Sequence, residues 1–149
     1  MSAVEMPEEQ EDRRPVEIAR LNDMLRTTLG LRPGAGRVVV TPGVHALPAE
    51  ERKALLMAVA TFDAWDASDD PYAERDMGCV FRTVRDVDGV PVVRWSSSEE
   101  PEIEGGERER RAFFKIDYYA KGSDMLGSED PADPDATDRV LTVMLGEEY

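Results

Sequence analysis

The segment CVFRTVRDVDGVPVVRW, residues 79–95, consists of two valine-rich runs on either side of the dipeptide Asp88-Gly89. Both residues of such a dipeptide tolerate positive φ, so a two-residue Asp-Gly link predicts a β-hairpin. Its strands would be Cys79–Val87 and Val90–Trp95. Pro91 lacks a backbone N–H, which places the second strand at an edge or a bulge. An antiparallel hairpin is therefore the first element of the predicted fold.

Two further segments have the pattern of strands. Arg111–Ala120 (RAFFKIDYYA) alternates between two faces, as a strand does. The face expected to pack on helices carries Ala112, Phe114, Ile116 and Tyr118. The opposite, partly exposed face carries Phe113, Lys115, Asp117 and Tyr119. Arg37–Thr41 (RVVVT) is β-branched and bounded by turn residues, including Pro42-Gly43 after it, which predicts a short buried strand.

Apolar residues at helical spacing predict helices on either side of these strands. One would open at Pro15 and stop near Gly30, and a second would run from about Pro48 to Trp65. The residues Ala136, Val140, Val143 and Met144 predict a final helix capped by Asp133 or Asp135. A strand over Val140–Leu145 is the alternative, because Val-Leu-Thr-Val also suits a strand.

Together these elements predict an α+β fold, an antiparallel sheet of about four strands with two or three helices packed on one face. The polar segments 96–110 and 121–135 would be loops, and residues 1–14 a disordered acidic tail before a single domain over residues 15–149. The acid-rich start is unlike a signal peptide, and the one cysteine allows no intrachain disulfide. We therefore expect a cytoplasmic protein.

Acidic residues dominate the charge of the chain. There are 32 Asp and Glu against 18 Lys and Arg, a net charge of -14. This balance argues against direct binding of nucleic acid or an anionic membrane, since both recruit basic surfaces. Four segments, 1–20, 60–76, 97–110 and 124–139, hold 24 of the acidic residues and seven of the basic ones. Whether folding gathers these segments on one face decides between a docking surface and plain solubility.

The chain also resembles a known family. The stretches that carry the resemblance follow one another through most of the sequence: Ile18–Asp23, Arg37–Pro48, Phe62–Gly78, Lys115–Tyr119 and Gly127–Tyr149. The family consists of small bacterial proteins with a domain of unknown function, often encoded on plasmids and other mobile elements. Its central motif runs Asn-Asp-Pro-Tyr-Gly-Glu-His-Asp-Phe-Gly, where this chain has DDPYAERDMG at residues 69–78. Arg75 stands at the histidine position, so a metal or acid–base role of that histidine would be lost here.

Two groups of residues are candidates for a binding site. The first is the acidic turn with Asp69, Asp70, Tyr72, Glu74 and Asp76. Carboxylates suit hard cations, so Asp70, Glu74 and Asp76 would be the ligands if a metal binds, whereas a solvated turn capped by Asp70 is the structural alternative. The second is the strand row Lys115, Asp117 and Tyr119, which could bind a polar ligand or form an ordinary ion pair beside a half-exposed aromatic ring.

No catalytic motif is recognisable, and the sequence favours a protein without enzymatic activity and without a cofactor. Gly34-Ala35-Gly36 lacks the residues that would continue a nucleotide-binding loop. The leading hypothesis is an acidic cytoplasmic binding protein with a basic protein partner, an inhibitor that mimics nucleic acid or counters a host defence. The alternative is a small enzyme or a ligand- or metal-binding domain with a carboxylate–Tyr–Lys site. The oligomeric state stays open.

Overall fold

The computed structural model describes residues 6–68, 70–97 and 107–149. Its helices are α1 (Met6–Thr28), α2 (Pro42–His45) and α3 (Ala49–Ala60). Its strands are β1 (Arg37–Val40), β2 (Met77–Val87), β3 (Val90–Ser96), β4 (Glu107–Ala120) and β5 (Thr137–Leu145). Within the described residues, none of the helices combines the length and the hydropathy that a membrane span requires.

The strands form one five-stranded sheet in the order β1-β5-β4-β2-β3. The α+β class is confirmed, and the predicted antiparallel sheet of about four strands is matched only roughly, because the sheet has five strands and β1 and β5 pair in parallel. The other pairs, β4 with β5, β2 with β4 and β2 with β3, are antiparallel. Strand β1 is an edge strand of this sheet, so its residues alternate between exposed and half-buried rather than lying fully buried as expected.

The hairpin predicted around Asp88-Gly89 is confirmed. Val87 pairs with Val90, and the two turn residues have φ of 52° and 82°, the left-handed values that the Asp-Gly signal requires. Strand β3 lies at the edge of the sheet, where Pro91 removes no hydrogen bond from a central ladder.

The last segment is a strand, so the predicted final helix was wrong and its alternative is confirmed. Strand β5 lies between β1 and β4, and seven of its nine residues are buried, from Thr137 to Leu145. A strand covered on both faces shows no alternation of apolar and polar residues. Its near-continuous apolar run therefore also matched helical spacing. Pairing with β1 on one side and β4 on the other makes the segment a strand.

Helix α1 begins at Met6, earlier than the start predicted at Pro15, which lies inside the helix. It thus includes residues 6–14, for which the sequence predicted a disordered tail. The rest of that tail, residues 1–5, lies outside the described residues.

Strand β4 begins at Glu107, so the end of the predicted loop 96–110 belongs to the sheet. Residues 98–106 of that loop lie outside the described part of the chain. The two faces of β4 are as predicted. Ala112, Phe114 and Ile116 are buried, whereas Phe113, Lys115, Asp117 and Tyr119 keep part of their surface in solvent.

The core lies between this inner face of the sheet and the helices. Its centre is an aromatic group in which the rings of Phe62 and Trp65 each meet Phe114 edge to face, with centroids 5.1 and 6.1 Å away. Around them pack Leu25 of α1, Leu55 of α3 and apolar residues of β5. Burial of these side chains is the main stabilising contribution to the fold.

Helix α3 ends at Ala60, short of the predicted Trp65, and the buried Arg26 of α1 explains the end. Its Nη1 atom donates to the carbonyl oxygens of Val59, Ala60 and Phe62 at 3.1, 2.8 and 3.3 Å. The last carbonyls of a helix lack partners within it and carry partial negative charge, so a cation there is favourable. Arg26 thereby fixes α1 against α3 and frees Phe62 to enter the core.

The predicted break at Pro42-Gly43 is the start of the short helix α2. Proline suits the first position of a helix, where its missing N–H leaves no hydrogen bond unmade. The Glu148 carboxylate accepts hydrogen bonds from the Thr41 hydroxyl at 2.6 Å and the Gly43 amide at 2.9 Å. The end of the chain thus holds the entry to α2 in place.

Candidate functional site

Four buried or half-buried polar side chains from different parts of the chain meet beneath α1. We call this group, Asn22, Glu74, Tyr118 and Arg139, the Asn22 cluster. The Asn22 amide donates to the Glu74 carbonyl oxygen at 2.9 Å and to the Tyr118 hydroxyl at 2.8 Å. Its oxygen accepts from Nε of Arg139 at 3.0 Å. One fully buried side chain therefore joins α1, the loop before β2, β4 and β5.

Arg139 is the basic residue of this cluster. Its side chain is only 3% exposed, and burial lowers the pKa of its guanidinium. Nη2 donates to the Pro131 carbonyl oxygen, and the guanidinium carbon lies 5.3 Å from the centre of the Tyr118 ring. These contacts replace part of the hydration that the cation loses in the interior.

The acidic turn before β2 is organised by Asp70. Its buried carboxylate accepts backbone hydrogen bonds from Glu74 at 2.9 Å and Arg75 at 3.1 Å. Ala73 and Arg75 have positive φ of 53° and 59°. Both oxygens of Asp70 thus hold a strained turn together, the structural role weighed for this residue in the sequence.

The carboxyl groups of Glu74 and Asp76 share a half-buried environment beside Tyr118. Burial, reinforced by the Asp76 charge, raises the pKa of Glu74, and burial likewise raises the pKa of Asp76. The Tyr118 hydroxyl lies 3.4 Å from Oε2 of Glu74, and burial raises its pKa well above the usual tyrosine range. Two acids in low dielectric near each other resist ionisation, so part of the stability of this region depends on pH.

We expect the double substitution Glu74→Gln, Asp76→Asn to stabilise the protein near neutral pH. A raised pKa means that the folded state holds its proton more tightly than the unfolded state. The stability that these groups contribute is full below their unfolded pKa and is lost as pH rises through the folded pKa. Between about pH 4 and pH 7 the variant should gain about 1 kcal/mol over the wild type, after allowance for solvent screening. Urea denaturation across this range measures the difference.

A matched control uses a carboxyl group with the opposite shift. The Gly122 amide and then Lys121 lower the pKa of Asp138. Asp138→Asn should therefore be less stable than the wild type throughout this range, and the deficit should shrink only as pH falls below about 4, the ordinary aspartate pKa. A Glu74 and Asp76 double variant whose stability curve runs parallel to that of the wild type would contradict the assignment.

The strand row lies on the other face of the sheet. Lys115 and Asp117 form an ion pair, with Nζ 3.2 Å from Oδ2, and Tyr119 is half-buried beside them. Alternation along β4 separates this row from Tyr118, the tyrosine that lies among the carboxyl groups. The strand row and Tyr118 therefore lie on opposite faces of β4.

Two predicted residues of the acidic turn remain to be placed, Tyr72 and Asp69. Tyr72 is 72% exposed, and Asp69 lies outside the described residues. Among the residues that the structure describes, no three His, Cys, Asp or Glu side chains are placed to hold a metal ion. The proposed ligands were Asp70, Glu74 and Asp76. Both carboxylate oxygens of Asp70 already accept backbone hydrogen bonds, so this residue is less available to a metal ion.

Sequence reasoning missed two members of the Asn22 cluster, Asn22 itself and Arg139. Asn22 follows Ile18 by four positions and so falls on the apolar stripe of α1. A polar residue on such a stripe signals a buried hydrogen-bond network, because a buried amide without partners is costly. Arg139 offered a weaker signal, since the segment was first interpreted as a helix.

Comparison with known proteins supplies a family and no function. No match was found among curated proteins or among solved structures. One protein-family model, described as "Protein of unknown function (DUF3768)", matches residues 40–148. The match begins at Val40, the last residue of β1, and runs to Glu148, so it includes the acidic turn and strands β2 to β5. The chain therefore belongs to this family of proteins of unknown function.

Proposed function

We propose that this chain is a protein-binding module that docks an acidic surface on a basic partner. Such a surface presents carboxylates where a nucleic acid presents phosphates, so it competes for the nucleic-acid site of the partner. Long-range attraction between opposite charges speeds the encounter and makes the affinity depend on salt. The net charge of -14 sets the sign of this attraction.

The observation that carries the proposal is a series of contacts that connects the acidic segments. Arg14 in segment 1–20 lies 3.4 Å from Oδ1 of Asp130 in segment 124–139. The Asn22 cluster joins α1 to the acidic turn of segment 60–76. Ser97, where segment 97–110 begins, donates to Asp63 of segment 60–76 at 3.3 Å. Described residues of segments that are far apart in sequence are thus in contact, directly or through Asn22 of α1, which supports a shared surface.

Charges on segments 60–76 and 124–139 are available to a partner. Asp63, Asp66, Glu129 and Asp135 are exposed. None of these four forms an ion pair with a residue in the described ranges. The basic Arg75, which lies among them in sequence, is paired with Asp23 at 2.8 Å. The surface therefore keeps a negative excess after its internal pairs are formed.

The resemblance to proteins encoded on mobile elements suggests which partner to seek. A mobile element that enters a host meets nucleic-acid-binding defence proteins, and these carry basic surfaces. An acidic cytoplasmic protein that occupies such a surface would act as an inhibitor without catalysing a reaction. The resemblance therefore supports the kind of partner, and the contacts among the acidic segments support the docking surface.

Capture from a lysate of the native host, followed by affinity measurement, tests the proposal. The triple variant Asp63→Asn, Glu129→Gln, Asp135→Asn removes three exposed charges from the surface. Binding of a captured basic protein should weaken roughly tenfold in this variant, and wild-type affinity should fall steeply as salt rises.

A control triple variant, Glu50→Gln, Asp86→Asn, Asp88→Asn, removes three exposed acids outside the four segments. It changes the net charge by the same amount as the first triple variant but leaves the four acidic segments unchanged. It should therefore leave the affinity within about twofold of the wild type. Equal weakening by both triple variants would show that only total charge matters. That result, or the absence of any salt-sensitive basic partner, would refute a docking surface.

A further inference from the structure

A cleft of about 580 Å³ opens at the end of the sheet where β1 and β5 begin. One wall is the turn Gly34–Arg37 between α1 and β1, and the other is the segment Lys121–Asp124 after β4. The start of β5, with Thr137, Asp138 and Arg139, forms its floor. Its volume falls within the range of small-molecule sites. The cleft is distinct from the exposed acidic residues used above.

The charge of the cleft opposes that of the whole protein. Its lining includes the basic residues Arg37, Lys121 and Arg139 against the acidic residues Asp124 and Asp138. In a chain with net charge -14, a concave site with a basic excess is an exception that solubility does not explain. Low-dielectric walls strengthen the field inside such a cleft, so it attracts small anions.

One acid on the floor is already neutralised from within the protein. Asp138 lies 3.2 Å from Nζ of Lys121 and accepts a hydrogen bond from the Gly122 amide at 2.9 Å. This pairing also fixes the start of the Lys121–Asp124 wall. The two charges of this pair compensate each other, so the basic excess of the cleft comes from Arg37 and Arg139 against Asp124.

Two cations differ in what they offer to a ligand. The exposed Arg37 forms no ion pair with the described residues, so its guanidinium is available for a bidentate contact. Arg139 is almost fully buried in the floor of the cleft, where Asn22 and the Pro131 carbonyl oxygen accept its hydrogen bonds. It adds a fixed positive charge to the floor, while Arg37 and Lys121 stand at the opening.

The uncharged residues that line the cleft indicate which kinds of anion fit it. None of the described residues that line the cleft is aromatic, so a nucleobase would find no ring to stack on. Leu21, Ala35 and Pro134 give only a small apolar area. A compact polar anion fits this lining better than a nucleotide or a lipid chain.

We propose that this cleft binds a small anion that carries phosphate or carboxylate groups and no aromatic ring. Arg37 and Lys121 contact the anionic groups, and Arg139 stabilises the charge from below. Occupation of the cleft brings the turn Gly34–Arg37 and the wall Lys121–Asp124 into contact with one ligand, so binding also stabilises the fold.

Titration of the ¹⁵N-labelled full chain with inorganic phosphate, citrate and adenosine monophosphate tests the proposal. Phosphate or citrate should shift the amide signals of residues 34–37 and 121–124 in a saturable manner. The stronger of these two identifies the anionic group that the cleft prefers. Adenosine monophosphate should bind no more tightly than phosphate, because its base gains no stacking partner.

Two cleft variants and one control make the test specific. Arg37→Ala and Lys121→Ala should each raise the dissociation constant roughly tenfold, as expected for loss of a charge-assisted contact. Arg32→Ala removes the same charge from an exposed residue of the neighbouring turn that does not line the cleft, so it should change the constant less than twofold. Equal weakening in all three variants, or shifts that do not saturate, would overturn the proposal.

Discussion

The Asn22→Leu variant should lose about 4 kcal/mol of unfolding free energy relative to the wild-type protein. Leucine has the same number of side-chain heavy atoms and the same branching as asparagine, but it removes all three hydrogen bonds of the Asn22 side chain. The largest part of the loss comes from Arg139, whose buried guanidinium would lose the acceptor of its Nε. The Glu74 carbonyl oxygen and the Tyr118 hydroxyl would lose a donor as well. Urea denaturation followed by tryptophan fluorescence measures the change.

Two further variants separate this network from the helix that carries it. Asn22→Asp keeps an oxygen acceptor for Arg139 and loses only the amide donors, so it should cost clearly less than Asn22→Leu. Thr27→Ala changes an exposed side chain of the same helix and should stay within about 0.5 kcal/mol of the wild type. An Asn22→Leu variant as stable as Thr27→Ala would show that the cluster does not hold the elements together.

Local signals in the sequence were sufficient for the hairpin and for strand β4. The Asp88-Gly89 turn needs only two residues with positive φ, and the alternation along β4 needs only one buried face. The parallel pairing of β1 with β5 has no such local signal. It joins Arg37 to Val140 across most of the chain, so it depends on how the intervening elements pack.

The sequence indicated the acidic turn with Glu74 as a candidate site, but it did not indicate that Tyr118 lies beside Glu74. The geometry of a strand explains this difference. The alternative hypothesis of a carboxylate–Tyr–Lys site would combine the acidic turn with Tyr119, whereas the tyrosine that meets Glu74 is Tyr118. Adjacent residues of a strand point to opposite faces, so one position decides which tyrosine meets Glu74. The choice required the position of α1, which covers only the inner face and brings Asn22 to Tyr118.

The aromatic group beneath the acidic turn sets a second strong expectation. Gly78→Ala should cost about 3 kcal/mol, because a Cβ atom at this position would lie 2.6 Å from Cε1 of Phe114 and 2.7 Å from Cζ of Phe62. Alanine normally suits a strand better than glycine, so any loss measures the clash. Neither ring can yield cheaply, since Phe114 is fully buried and Phe62 packs edge to face on Trp65 at 4.6 Å.

A control and a compensating substitution test whether the rings are the cause. Gly127→Ala meets its nearest atom, the Tyr118 carbonyl oxygen, at 3.8 Å, so it should leave the unfolding free energy within about 0.5 kcal/mol of the wild type. Phe62→Leu on its own should destabilise the core, but it removes one of the two rings that a Cβ at position 78 would meet. The double variant Gly78→Ala, Phe62→Leu should therefore lose less than the sum of the two single losses, because contacting residues are not additive. Strict additivity would mean that Gly78 is required by the backbone of β2 and not by the aromatic rings that pack on it.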